Sequence, residues 1–124
     1  MLLHKIEKQK LLHEPFEPDV LKLARVLYNT YVEDNYEPFM EVSINTLIRV
    51  LKLQKHDNPV KYIKYLLEEL NEPLCVKNFK FYTKTYSMRF IYFCTYSFRN
   101  DFIDIELSEE YFYAIENYME EPYL

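Results

Sequence analysis

The sequence contains no glycine. Glycine is the residue that reaches positive φ without steric cost. Its absence removes the Gly-rich phosphate loop, the dinucleotide-binding turn and the glycine-flanked nucleophile elbow. Turns then fall to Asn and Asp, which tolerate left-handed backbone best after glycine. Asn35, Asn71, Asn78 and the Asn100-Asp101 pair are placed for that role. A codon bias towards Lys, Asn, Tyr and Phe accounts for the missing glycine equally well, and the exclusion holds either way. Tryptophan is also absent, and there are two cysteines, Cys75 and Cys94. No apolar run approaches the roughly 18 residues that span a bilayer. The start, Met1-Leu2-Leu3-His4-Lys5, lacks the long apolar core of a signal peptide. These absences predict a cytoplasmic chain whose cysteines are buried thiols in neighbouring strands.

Catalytic chemistry is equally sparse. His4, His13 and His56 are scattered and form no metal-ligand spacing with Cys75 or Cys94. Ser43 and Ser108 precede helix patterns and have no base nearby, so they read as caps. Asp104, Glu106, Glu109 and Glu110 are explained by solvation and by the helix dipole. No basic amphipathic helix points to a membrane surface. The sequence predicts no enzyme, no catalytic or metal site and no cofactor.

What remains is a 124-residue chain, about one domain long and 49% apolar, enough for a core without staples. Aromatic residues make up 18%, most of them Tyr, which buries a ring and keeps its hydroxyl wet. Residues 1–17 have no clear period and read as an N-terminal arm, with a helical turn around Leu11-Leu12. The domain then runs over 18–124. Pro18 opens a helix with Val20, Leu23, Ala24, Leu27, Tyr28 and Tyr31 at helical spacing. Phe39 to Val42 is a short strand, and Val42 and Leu47 stand at hydrophobic-staple positions. A second helix follows Ser43 and turns Ile44, Leu47, Ile48 and Leu51 inward. Asn58-Pro59 starts a third, with Ile63, Leu66, Leu67 and Leu70 inward and Lys61, Lys64, Tyr65 and Glu68 outward.

From Leu74 to Phe98 the pattern predicts one long hairpin with its turn near Lys84 to Ser87. Met88, Phe90, Tyr92, Cys94, Tyr96 and Phe98 alternate onto one face, expected to be core. Arg89, Ile91, Phe93 and Thr95 take the other, with Cys75 and Cys94 nearly opposite one another. If Ile91 and Phe93 are uncovered, they form an apolar patch suited to a homodimer contact by edge pairing. Alternating aromatics on a strand can instead stack single-stranded nucleic acid. After Asn100-Asp101, Ile103, Ile105 and Leu107 make a half-exposed strand. Ser108 caps a last helix carrying Tyr111, Ile115, Tyr118 and Met119.

The predicted fold is α+β, in winged-helix order: two short helices, a compact turn between them, then a hairpin wing, with an extra strand and a C-terminal helix. Net charge is −5, yet it is segregated. Residues 1–48 hold 5 basic and 8 acidic side chains, residues 49–99 hold 10 and 4, and residues 100–124 hold 0 and 8. The positive block covers the second and third helices and the hairpin. Arg49, Lys52, Lys55, Lys61 and Lys64, with Lys80, Lys84 and Arg89 on the wing, are candidate phosphate contacts, and Tyr65 a candidate base or phosphate contact. Each of these lysines taken alone reads as ordinary solvated surface.

Val42-Ser43-Ile44-Asn45-Thr46-Leu47, Tyr62 to Leu70, the aromatic hairpin Met88 to Phe98, and Phe102 to Ser108 with the helix ending Glu121-Pro122-Tyr123-Leu124 form a pattern. It resembles the N-terminal winged-helix domain of plasmid replication initiator (Rep) proteins over about two thirds of the chain. The resemblance implies a DNA-binding and dimerising domain that acts in replication initiation. Its partners would be duplex DNA, weakly bound by this domain alone, a second copy, and replication proteins. Such initiators carry two winged-helix domains and this chain has room for one. The acidic ends depart from a strongly basic DNA binder. The alternative is a protein–protein or transcription-regulatory module of the same fold, with little DNA binding of its own.

Overall fold

Short-range capping sets the boundaries of the helices. In the computed structural model, which describes residues 17–118, Pro18 stands at the first position of α1 (Pro18–Glu33). The Ser43 hydroxyl accepts from the Thr46 N–H and starts α2 (Ile44–Val50). Asn58 accepts from the Lys61 N–H at 3.1 Å, and Pro59 opens α3 (Pro59–Leu70). Ser108 accepts from the Tyr111 N–H at 3.2 Å ahead of α4 (Glu109–Tyr118). Each cap satisfies an amide that a helix start leaves without a partner. The expected arm over 1–17 lies outside the described residues except for Glu17, as do His4, His13, Met119 and the ending at Leu124.

Among the described residues there are five strands: β1 (Phe39–Ser43), β2 (Leu74–Phe81), β3 (Lys84–Ile91), β4 (Cys94–Arg99) and β5 (Phe102–Leu107). They form two separate antiparallel sheets, β1-β5-β4 and the β2-β3 hairpin. The molecule is thus α+β, with one core drawn from every layer: Leu23 and Leu27 of α1, Leu47 of α2, Ile63 and Leu67 of α3, Ile103 and Ile105 of β5, and Tyr111 of α4. Of the inward residues expected from helical spacing, Val20, Leu23, Ala24 and Leu27 of α1 and all four of α3 are buried, while Tyr28 and Tyr31 are half-buried.

Without glycine, left-handed backbone falls on Asn35, Tyr36, Lys52, Asn78, Tyr82 and Asn100. Asn35, Asn78 and Asn100 were expected in this role. Asn71 instead ends α3 at φ −94. Asn100-Asp101 closes the β4–β5 hairpin, since Arg99 pairs with Phe102. Positive φ at Asn100 supplies the twist that a two-residue hairpin loop needs.

The strand-rich stretch departs from expectation. The hairpin turns at Tyr82-Thr83, not near Lys84 to Ser87, because Phe81 pairs with Lys84. Its return arm stops at Ile91, and β4 belongs to the other sheet. The break is held by three bonds. Asn71 Oδ1 accepts from the Cys94 N–H at 2.8 Å, the Phe93 carbonyl accepts from Ser108 N, and Asn71 Nδ2 donates to Cys94 Sγ. Cys75 therefore pairs with Phe90 and Cys94 with Leu107, so the cysteines are not opposite one another. Neither is in a disulfide, and burial pushes the Cys94 thiol up to about 11.

The expected faces change as well. Met88, Phe90 and Tyr92 point to solvent, whereas Cys94, Tyr96 and Phe98 turn towards the core. Ile91 and Phe93 are 2% and 0% exposed. This corrects the expected dimer contact: both side chains are core within one copy and have no surface to offer. Phe93 meets the rings of Tyr111 and Phe112 edge-on at 5.0 and 5.6 Å.

Candidate nucleic-acid interface

Four exposed basic side chains lie on α2, α3 and the link between them. Arg49 is in the last turn of α2, Lys52 and Lys55 are in the link to α3, and Lys61 is on the first turn of α3; all are exposed. The link is anchored by Leu53, which is buried while its N–H donates to the Ile48 carbonyl. Lys52 next to it takes φ 58, the left-handed position that ends α2. Among the described residues, Arg49, Lys52, Lys55 and Lys61 make no ion pair. Lys64, one turn further along α3, lies 4.9 Å from the centre of the Phe98 ring on β4. That contact fixes the ammonium above the sheet without neutralising it.

Tyr65 is tied back. Its hydroxyl lies 2.8 Å from Glu17 Oε1 and 3.2 Å from Glu69 Oε1, and its single proton serves one of them at a time. Tyr62 donates to Asp19 Oδ2 at 2.6 Å, and His56 stacks on its ring at 4.7 Å. These bonds to carboxylates raise both phenols to about 12, because a carboxylate favours the protonated donor. Glu17 and Asp19, from the start of α1, thus stand beside the cationic row. No local pattern signals this, since partners 43 and 48 residues apart meet only through the packing of α1 on α3.

The wing candidates separate. Lys84 is exposed and makes no ion pair among the described residues, and Lys80 is exposed on the outer face of the hairpin. Arg89 is committed: Nε and Nη2 donate to the two oxygens of Glu110 at 3.0 and 2.9 Å, and the guanidinium lies 4.5 Å above the Tyr86 ring. Such a bidentate clamp holds the guanidinium charged and satisfied. It fastens the hairpin to α4 through Nε and Nη2.

The opposite side of the β1-β5-β4 sheet is acidic. Glu41, Asp104 and Glu106 surround a shallow concavity of about 650 Å³ with Phe39 at its rim. Arg99 donates twice to Asp104, at 2.9 and 3.1 Å, and also to Glu41. The guanidinium lowers the Asp104 carboxyl below its usual range. The charges therefore lie in layers, with cations on the helices and carboxylates on the outer sheet face.

No family model matches the sequence, and no curated protein or solved structure is similar enough to align with it. Among the described residues no group of His, Cys, Asp or Glu is arranged to hold a metal ion, and no helix is long and apolar enough to cross a membrane.

Proposed function

We propose that this chain is a winged-helix-type module of a replication-initiator-like protein. It binds duplex DNA weakly through α2, the link to α3 and the exposed face of α3. The observation that carries the reading is the set Arg49, Lys52, Lys55, Lys61 and Lys64 on α2, α3 and the link between them, all exposed and without an ion pair among the described residues. The sheet supports it. β1 falls between α1 and α2 and joins a sheet of order β1-β5-β4, whose last two strands form a hairpin. In this reading the wing is the short Asn100-Asp101 turn, and β2-β3 is an insertion between α3 and the sheet. A row of phosphate contacts positions a duplex without reading its sequence.

Fluorescence anisotropy with random duplex DNA tests this. Each phosphate neutralised contributes about −0.9 to the slope of log K against log salt, so the row predicts a slope of about −4 to −5. Replacing Lys61 and Lys64 together by Glu is expected to remove most binding at low salt and flatten that slope. No binding by the parent chain at low salt would refute the proposal. The alternative, a protein–protein or transcription-regulatory module, draws on a different observation, the exposed row Met88, Phe90 and Tyr92.

A further inference from the structure

The β1-β5-β4 sheet turns Met40, Ile103 and Ile105 into the core. Strand alternation puts Phe39, Glu106 and Thr95 in one cross-strand row on its other face, and Glu41, Asp104 and Ser97 in the next. Two hollows meet on that face. The concavity beside Phe39 and a groove of about 680 Å³ beside Phe90 and Tyr92 share Thr95 and Glu106. Together they form one trough that follows β5 from Asp104 through Glu106 and on to Glu109 at the start of α4.

The trough is acidic, and the fold neutralises only its ends. Arg99 is taken up by Asp104 and Glu41, and Arg89 by Glu110. Glu106 and Glu109, between them, are exposed and make no ion pair among the described residues. Each has exposed rings beside it. Phe39, 61% exposed, is the cross-strand partner of Glu106, and Phe90 and Tyr92, 57% and 50% exposed, share the second hollow with Glu109.

A carboxylate next to an exposed ring suits a lysine or arginine in both its parts. The aliphatic stem lies on the ring while the charged head meets the carboxylate. Spacing adds to the match. Asp104 and Glu106 are two strand positions apart, about 6.6 Å, which is the repeat of alternate side chains in an extended chain. A nucleic acid is repelled by the same carboxylates. We propose that the trough binds an extended basic segment of another protein, with a lysine or arginine at every second position. The inference stands on the outer sheet face and is independent of duplex binding through α2 and α3. It gives the protein–protein reading a partner chemistry.

Fluorescence anisotropy of a labelled peptide alternating lysine with serine, titrated with the whole chain in the absence of nucleic acid, tests it. Binding with a Kd of about 100 μM or tighter is expected. Glu106→Lys and Glu109→Lys together should weaken it about thirtyfold or more, and should make the chain prefer a peptide alternating glutamate with serine. Phe39→Ala should weaken it about fivefold at an unchanged melting temperature, because a lysine stem loses its ring. A peptide of the same composition with its lysines in one block should bind about fivefold more weakly, since its cations no longer match the two-residue repeat. No binding of the alternating peptide, equal binding of the blocked one, or unchanged binding by the charge-reversed chain would each overturn the proposal. Self-association of the parent that the charge reversal abolishes would do so too, and would assign the trough to a second copy. Since no nucleic acid is present, a failure here leaves duplex binding standing.

Discussion

The helices and the β2-β3 hairpin are both rich in apolar residues, yet they spend them differently. In α3 every large aliphatic at the expected spacing, Ile63, Leu66, Leu67 and Leu70, is buried. In β3 and the residues after it the apolar side chains divide, with Ile91 and Phe93 in the core and Met88, Phe90 and Tyr92 in solvent. A helix has one apolar stripe and a strongly polar opposite face, so its pattern states which side is inside. A strand with rings on both faces states only that the faces alternate. The inward direction then depends on what packs against it, here α4 on one side.

The largest effect that sharpens this contrast is expected at Phe93. Phe93→Ala should cost about 3–5 kcal/mol, because its ring fills a closed site against Tyr111 and Phe112. Phe90→Ala, three residues away on the outer face, should stay within about 0.5 kcal/mol in the monomer. Urea unfolding of the two variants side by side reads the difference; equal losses would break the assignment of faces.

A smaller effect is expected at the joint between the two sheets. Asn71→Ala removes the acceptor of the Cys94 N–H and should cost about 1–3 kcal/mol, the penalty for leaving a buried amide unpaired. Thermal unfolding measures the loss. Hydrogen exchange should show the Cys94 amide losing protection while amides in the middle of α3 keep theirs.

The smallest concerns the fastening of α1 to α3. Tyr62→Phe should cost about 1 kcal/mol at neutral pH, since the hydrogen bond to Asp19 is half-exposed. The phenol is raised from 10.0 to about 12 in the fold, so its contribution is complete below pH 10. Between those values the unfolded chain has already released the proton, and stability falls as pH rises through about 12. Parent and variant should therefore converge in stability over that window, and a constant gap would show that the bond to Asp19 is not the source.

Much of the fold was legible because its signals are local. The caps Ser43, Asn58 and Ser108 act within three residues, and Pro18 and Pro59 fix the first turns of their helices. The candidate interface was legible only as charge. Lys61 and Lys64 stay exposed, but Tyr65 is held by Glu17 and Arg89 by Glu110, partners that neither spacing nor composition names. The turn at Tyr82 was missed because a tyrosine at positive φ carries no turn signal of its own.

By itself, then, the sequence determined the helices, their inward stripes, the segregation of charge and the absence of glycine-dependent sites. Each follows from periodicity, capping or composition within a few neighbouring residues. Packing between distant segments splits the strand-rich stretch between two sheets, selects which face of the hairpin is core, and sets which cations have no ion pair among the described residues. Those outcomes depend on contacts between residues tens of positions apart. Asn71 reaches Cys94, Arg89 reaches Glu110 and Asp19 reaches Tyr62, and each is settled when the layers close on one another.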